Sequence, residues 1–457
     1  MPLGLLAVGS ALPADRYDVS ILDARIDSRA EQRVLEAAEG AACAGMTVFS
    51  GPSIGNALRL SRELKRRNPE LPIVWGGWHP SILPEQCIAS GAVDAVVIAQ
   101  GEGTLIELLA NIRDRKSWKA IPGLCINDGG TPKRTTVRRL QKMEQFSPAR
   151  YDLLDVETYF DRKGRRQLDY SSSRGCPYKC TFCADPLVYE SKWTGLPARR
   201  ILEELQQLHR RYAMTEVFFL DDDLFASLKR IQEIASEFLR ARVPFEWKGT
   251  ARADELCRLP ESFFKELRAA GCTRINVGAE SGSQRMLDGI KKEYELEQII
   301  KAGERTSRAG IGVSWSFIAG LPGEQESDFD ATLQVLKRLR QQTSTVEATV
   351  FPYSLYPGTE LSRELEQKGV RMPEHLEEWE QFNTGQAWDS GRGPGFERRV
   401  RSVNFYLRHG YASGPSSASR RLLRAASRLR CERDWYGFPV ERLVIEAFQR
   451  LTAMAGS

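Results

Sequence analysis

Cys176, Cys180 and Cys183 stand in the run Arg174-Gly175-Cys176-Pro177-Tyr178-Lys179-Cys180-Thr181-Phe182-Cys183-Ala184-Asp185. Three thiolates at this spacing can occupy three corners of a four-iron, four-sulfur cube and leave the remaining iron open to chelate a small molecule. A structural zinc site is the competing reading, and it needs four closing ligands with a second Cys or His pair at short range. No such pair follows. His209, the nearest histidine, lies in a helical pattern with Leu202, Leu205 and Leu208, where packing or surface exposure accounts for it.

The elements that must position this loop are legible as apolar runs alternating with helical patterns. Strands are expected at residues 168–172, 216–220, 245–250, 274–278, 312–319 and 346–353. Six βα units predict a partial (β/α)6 barrel of the TIM type, whose chemistry gathers at the carboxyl ends of the strands. The cysteine loop follows the first of these strands. Asp221-Asp222-Asp223-Leu224-Phe225, Arg252, Glu280-Ser281-Gly282, Gly320-Leu321-Pro322-Gly323-Glu324 and Tyr356-Pro357-Gly358-Thr359 follow the others in turn. The triple carboxylate reads equally as a helix N-cap on a solvated turn.

The N-terminal third alternates in the same way, with strands expected at 19–22, 46–49, 73–75 and 95–98 and helices at 57–67 and 104–112. This pattern predicts a parallel sheet covered by helices on both faces, which binds ligands beyond the carboxyl ends of its strands. Those ends are small and polar: Ser50-Gly51-Pro52-Ser53, Gly76-Gly77-Trp78-His79-Pro80 and Gly101-Glu102-Gly103-Thr104. Each loop alone reads as turn chemistry. Three across one sheet point to close approach of a ligand to the backbone.

Together with the cysteine triplet, these loops resemble the cobalamin-dependent radical S-adenosylmethionine (SAM) enzymes over nearly the whole chain. Gly175 and Phe182 around the cysteines fit that family's cluster signature, and Val74 through Glu85 (VWGGWHPSILPE) with Gly101-Glu102 fit its cobalamin domain. The resemblance implies a [4Fe-4S] cluster on Cys176, Cys180 and Cys183. It implies SAM contacts from Phe182, Asp222, Asp223, Arg252, Glu280, Ser281 and Gly320, with Arg252 a candidate for a bidentate fork on the methionyl carboxylate. Cobalamin contacts are implied for Ser50, Gly51, Ser53, Gly76, Gly77, Trp78, His79, Gly101 and Glu102. The Asp-x-His-x-x-Gly pattern that gives cobalt a histidine elsewhere is absent, so His79 is expected to shape its loop or touch the cobalamin tail. Family members commonly carry another strand and a proline-rich loop ahead of the segment resembling Pro2-Leu3-Gly4-Leu5-Leu6-Ala7. The Rossmann-like sheet is therefore expected to lack its first strand, either through a missing N-terminal segment, which we favour, or with cobalamin binding compromised.

The implied domains are a cobalamin-binding Rossmann-like domain at 1–125, a linker at 126–165, the radical SAM partial barrel at 166–365 and a helical, substrate-covering region at 366–457. In that last region Trp379, Phe382, Trp388, Phe405 and Tyr406 are scattered among polar residues, and Gly391 to Gly395 is expected to be a flexible loop. Arg420, Arg421, Arg424, Arg428 and Arg430 beside Leu422, Leu423 and Leu429 form an amphipathic basic helix, either a solvated face or a surface for a membrane or an anionic substrate.

Net charge is only +5, too little to demand nucleic acid as a partner. The other cysteines, Cys43, Cys87, Cys125, Cys257, Cys272 and Cys431, are scattered as buried small hydrophobes rather than as a disulfide framework. No apolar run spans a bilayer and no signal segment opens the sequence. A cytoplasmic protein, peripheral to the membrane at most, is expected. It would act on a small molecule, lipid-like or a natural-product intermediate, with flavodoxin or ferredoxin as electron donor. The family's usual reaction is methylation of an unactivated carbon by way of a 5′-deoxyadenosyl radical and methylcobalamin. Cyclisation or oxidative rearrangement without methyl transfer is the first alternative, and a non-catalytic cobalamin-binding homologue the second. Methylthio transfer to tRNA is disfavoured by the lack of a second N-terminal cysteine set and by the helical tail.

Overall fold

Short apolar strands joined by amphipathic helices build the N-terminal sheet. β1 (Ala44–Thr47), β2 (Ile73–Gly76) and β3 (Ala95–Val97) pair in parallel, and β4 (Leu124–Asp128) and β5 (Thr131–Arg134) continue the sheet antiparallel in the order β1-β2-β3-β4-β5. The β4–β5 turn is Gly129-Gly130, with φ of 65° and 93°, the left-handed pair that a two-residue hairpin requires. Helix Ser53–Arg67 buries Ile54, Leu58 and Leu64 in the core that also holds Ile73 and Trp75. Trp379, on the short helix Leu376–Gln381, joins this core and donates its indole N–H to Gln86 Oε1 at 2.9 Å.

This computed structural model describes residues 1–342, 347–382, 392–411 and 417–455. They fall into two units, Met1–Gly249 with Leu355–Thr384, and Thr250–Ser354 with Gly385–Ser457.

Residues 19–22 differ from expectation: they join no strand ladder. Val19 and Ile21 lie instead against Gly9 of helix Leu3–Ala11, where an added Cβ would stand 3.1 Å from Val19 Cγ1. The side chains have the chemistry of a strand, but a ladder also needs a neighbouring backbone to receive its N–H and C=O groups.

The later strands follow the expected order. In the first unit β6 (Gln167–Tyr170) pairs in parallel with β7 (Glu216–Phe219), which pairs with the start of β8 (Glu246–Ala251). In the second, β9 (Cys272–Glu280), β10 (Gly312–Ala319) and β11 (Glu347–Pro352) are parallel neighbours, with a register shift between Gly278 and Glu280. Val346 lies outside the described residues. Helices Ala198–Tyr212, Leu228–Ala241, Leu296–Arg308 and Glu326–Gln342 separate these strands. Along β10, Val313, Trp315, Phe317 and Ala319 are buried while the alternate Ser314, Ser316 and Ile318 are half-buried, the period of two that strand geometry imposes.

The C-terminal helices are Gly393–Gly410, Ala418–Glu432 and Val440–Ala455. A loop was expected through Gly395, but helix begins at Gly393 because Pro394, in its first turn, has a fixed φ suited to helix initiation. Gly391 and Trp388 lie outside the described residues. No described helix is long and apolar enough to cross a membrane. The scattered cysteines are free, with Cys87, Cys125, Cys272 and Cys431 buried and Cys43 and Cys257 half-buried.

Candidate active site

The cysteine loop is gripped through its backbone by carboxylates. Asp221, two residues after β7, accepts from the Ser172 N–H at 2.7 Å, the Ser172 hydroxyl at 2.5 Å and the Ser173 hydroxyl at 2.7 Å, fixing the chain where it leaves β6. Arg230 reinforces the same point, donating to the Ser172 carbonyl at 2.9 Å and to the Leu196 carbonyl at 2.8 Å. Asp222 then accepts from the Gly175 N–H at 3.0 Å, and Asp185 from the Cys176 N–H at 2.9 Å. Gly175 takes φ of 76°, and a Cβ there would stand 2.2 Å from the Lys192 carbonyl oxygen, so only glycine fits.

Burial pushes the Asp185 carboxyl upward, and the charge of the adjacent Asp222 adds to the shift. Asp222 is raised too, chiefly by the protein packed around it, while the Gly175 N–H and Arg174 oppose the rise. Its side chain nevertheless remains accessible. Asp223 accepts from the Phe225 N–H at 3.1 Å and lies 4.0 Å from Cys176 Sγ. Burial would lower the Arg174 guanidinium, but Glu102, Tyr189, Asp222 and Asp221 together hold it up. Phe182 is half-buried within the loop.

The glycine loops of the N-terminal sheet border this region. Trp78 meets Tyr189 edge-on at 6.0 Å. Gly358, at φ of 70°, packs so closely that a Cβ would stand 3.2 Å from Ile82 and 3.5 Å from Leu187, and the Leu361 N–H donates to the Thr181 carbonyl at 3.0 Å. Gly77 has φ of 100°, and a Cβ would fall 2.8 Å from Thr47 Oγ1 and 2.9 Å from the Val48 carbonyl. Gly51 is also left-handed, Gly76 closes β2, and Ser53 starts its helix with its hydroxyl on the Phe49 carbonyl at 2.6 Å. Gly101 and the buried Glu102 open helix Glu102–Ala110.

His79 is fully buried, with Nδ1 2.9 Å from the Ser50 hydroxyl and its ring 5.7 Å from that of Trp379. Burial holds its pKa down to about 4, so the imidazole is neutral. Its Nε2 has no hydrogen-bond partner among the described residues. A buried orphan of this kind calls for a missing polar group.

In the second unit the residues after successive strands are tightly paired. Arg252 donates to Asp254 Oδ1 at 2.9 Å and to the Lys292 carbonyl. Glu280, at φ of 61°, is ion-paired to Lys292 Nζ at 2.8 Å. The Ser281 hydroxyl accepts from the Ser283 N–H at 3.1 Å. The Gly320 N–H donates to Glu324 Oε2 at 2.6 Å, and Arg392 reaches the same oxygen at 2.8 Å. Burial pushes Glu324 up to about 7 against the pull of these donors.

The donor set suits a cluster better than a single ion. Three thiols share one loop, and among the described residues no three ligating side chains converge as ligands of one metal ion. Zinc ligands stand roughly 3.8 Å apart around their ion, whereas a cluster fills the space between thiolates with its own atoms. The buried, unpartnered His79 Nε2 is the polar atom beside the N-terminal sheet that a cofactor group would satisfy, while Gly77 is required by close packing on Thr47 and Val48.

Residues 170–336 match the model of the Radical SAM superfamily, and residues 1–109 that of the B12 binding domain. The chain is a radical SAM protein that carries a B12-binding domain. It is 28% identical over 365 residues to an uncharacterized methyltransferase of Pyrococcus horikoshii, spanning 79% of this chain and 77% of the relative. It is 25% identical over 345 residues to an anaerobic magnesium-protoporphyrin IX monomethyl ester cyclase of Synechocystis, spanning 74% and 68%. The fold matches that of TsrM, a radical SAM methyltransferase from Kitasatospora setae solved with tryptophan and a SAM analog, with a TM-score of 0.72 at 19% identity over 100% of this chain and 97% of TsrM.

Sequence spacing did not disclose Lys292, Arg392 or Trp379. Each acts on a residue at least 12 positions away, and no local pattern marks it. Asp185 was more accessible to inference, since it lies two residues beyond Cys183 in the cluster run.

Proposed function

We propose that the protein is a cobalamin-dependent radical SAM methyltransferase that methylates an unactivated carbon of a small molecule. The observation that carries this reading is the adjacency, within one unit, of the glycine loops of the B12-binding segment and the cysteine loop of the radical SAM segment, joined through the edge-on contact of Trp78 with Tyr189, with the charge of Glu102 acting on Arg174. The proposed division is 1–125 for cobalamin, 126–165 as linker, 166–365 as the barrel and 366–457 as cover, less helix Leu376–Gln381, which packs into the core of the N-terminal sheet.

Once bound, a reduced cluster would supply the electron that splits SAM, and cobalamin would carry the methyl group. Cys176, Cys180 and Cys183 hold the cluster, while Asp185 and Asp222 fix the backbone that presents it. Asp222, Asp223 and Phe182 line the SAM side of the loop. Arg252 takes the methionyl carboxylate, Glu280 and Ser281 the ribose, and Gly320 admits the adenine against bare backbone. Ser50, Gly51, Ser53, Gly76, Gly77, Trp78, Gly101 and Glu102 cradle cobalamin, with neutral His79 offering Nε2 as a hydrogen-bonding partner rather than a cation. Packing around these groups keeps water from reactive species.

A flavodoxin or ferredoxin is the proposed electron donor, and a natural-product or lipid-like molecule the proposed substrate. Arg420, Arg421, Leu422 and Leu429, exposed on helix Ala418–Glu432, support a cytoplasmic protein peripheral to anionic lipid. The Synechocystis relative favours a second reading, ring formation without methyl transfer. Anaerobic reconstitution with cobalamin, strong reductant and SAM tests the proposal. Release of 5′-deoxyadenosine and a product heavier by one methylene unit are expected. A product lighter by hydrogen or heavier by oxygen selects the second reading, and no SAM cleavage by the cluster-loaded protein refutes both.

A further inference from the structure

Lys292 is surrounded by backbone that side chains rarely adopt. Glu280, Lys291 and Glu293 all take left-handed φ, at 61°, 52° and 57°, although none is glycine. Such residues persist only where surrounding structure holds them, and they collect at functional sites. Here they converge on one buried group. Lys292 Nζ pairs with Glu280 Oε1 at 2.8 Å, both residues being under a tenth exposed. The carbonyl of the same lysine receives the Arg252 guanidinium.

Tyr294 completes the arrangement. Its hydroxyl donates to the Gly278 carbonyl at 3.0 Å, pinning the bulge that carries Glu280, and its ring lies 5.2 Å from the Arg252 guanidinium and 5.8 Å from Lys292 Nζ. Glu280 folds back over Gly278, where a Cβ would come 2.2 Å from its Oε1 and 3.4 Å from Lys292 Nζ. A carboxylate in such a site keeps its direction only while its partner is present, since removing one member of a buried ion pair leaves the other uncompensated.

We propose that Lys292 is a positioning residue for SAM, orienting Glu280 through its ammonium and Arg252 through its carbonyl. This rests on the assignment of Glu280 to the ribose and Arg252 to the methionyl carboxylate made above. The salt bridge is thereby explained as a device that aims two ligand-binding side chains from different strand ends, beyond any contribution to packing.

The test uses the full chain, reconstituted anaerobically, with SAM affinity measured by equilibrium dialysis beside iron content and thermal midpoint. Lys292→Met should weaken SAM binding about 10–100-fold, the usual cost of losing a side chain that supports a binding group, while iron content stays at the wild-type level. Lys292→Arg should restore most of the affinity. The double variant Glu280→Gln/Lys292→Met leaves no unpaired buried charge, so it keeps the test available if the single variant does not fold. It should bind SAM no more weakly than Glu280→Gln alone, because residues acting as a unit are non-additive. Wild-type affinity in Lys292→Met, no rescue by arginine, or losses that multiply in the double variant would each overturn the proposal. A cluster-loaded wild-type protein that binds no SAM would overturn instead the functional assignment on which it rests.

Discussion

Replacing His79 with asparagine should remove a specific acid sensitivity from the first unit. The folded histidine has a pKa of about 4 against 6.5 for a free side chain, because burial disfavours its charged form. Between those values the unfolded chain binds a proton that the folded chain refuses. The stability is therefore complete above pH 6.5 and is lost as the pH falls toward 4. The whole window is worth about 3 kcal/mol, and about 2 kcal/mol of it is gone by pH 5. Asparagine keeps a polar atom near the Ser50 hydroxyl, which lies 2.9 Å from Nδ1, but it does not titrate. Urea unfolding of both proteins at pH 7.5 and pH 5 gives the comparison, and the wild type should lose about 2 kcal/mol more than His79→Asn. An equal loss in the two would refute the argument, since it would mean that the imidazole accepts its proton without unfolding.

Other substitutions probe the remaining supports. Gly77→Ala places a Cβ 2.8 Å from Thr47 Oγ1 in a backbone of φ 100°. It should cost about 1–3 kcal/mol and abolish cobalamin retention, read by absorbance after desalting, while SAM cleavage continues. Asp221→Ala removes the acceptor of three bonds to Ser172 and Ser173. About 3 kcal/mol or more should be lost in chemical unfolding, with iron content falling in parallel and Asp221→Asn recovering part of both. Glu324, pushed up to about 7 from 4.5, binds a proton more readily folded than unfolded. Its penalty therefore appears as the pH rises from 4.5 to 7 and reaches about 3 kcal/mol. Glu324→Gln should flatten that part of the stability profile.

The succession of barrel strands was legible because each apolar run is bounded by polar turn residues, and the strand at Gly312–Ala319 was located at both ends. The cysteine loop stood out by its spacing, and the resemblance carried by Gly175 and Phe182 around it pointed to a cluster. Residues 19–22 misled because β-branched composition reports on side-chain packing, which they have against Gly9, and not on the presence of a neighbouring strand. The β4–β5 hairpin straddles the boundary drawn at 125, its turn and β5 falling in the segment read as linker, although Gly129-Gly130 carries the turn signal. Lys292 and Arg392 were beyond sequence reasoning because their meaning is a distance to Glu280 and Glu324, set by how loops return after separate strands. Trp379 was assigned to a C-terminal cover, yet its indole completes the core of the N-terminal sheet.

The most direct measurement is low-temperature electron paramagnetic resonance of the reduced, anaerobically reconstituted protein with and without SAM. The expected spectrum is that of a single [4Fe-4S] cluster that changes when SAM coordinates its open iron, with no cluster in Cys180→Ala. A tetrahedral zinc site, or a cube whose spectrum is indifferent to SAM, would contradict it.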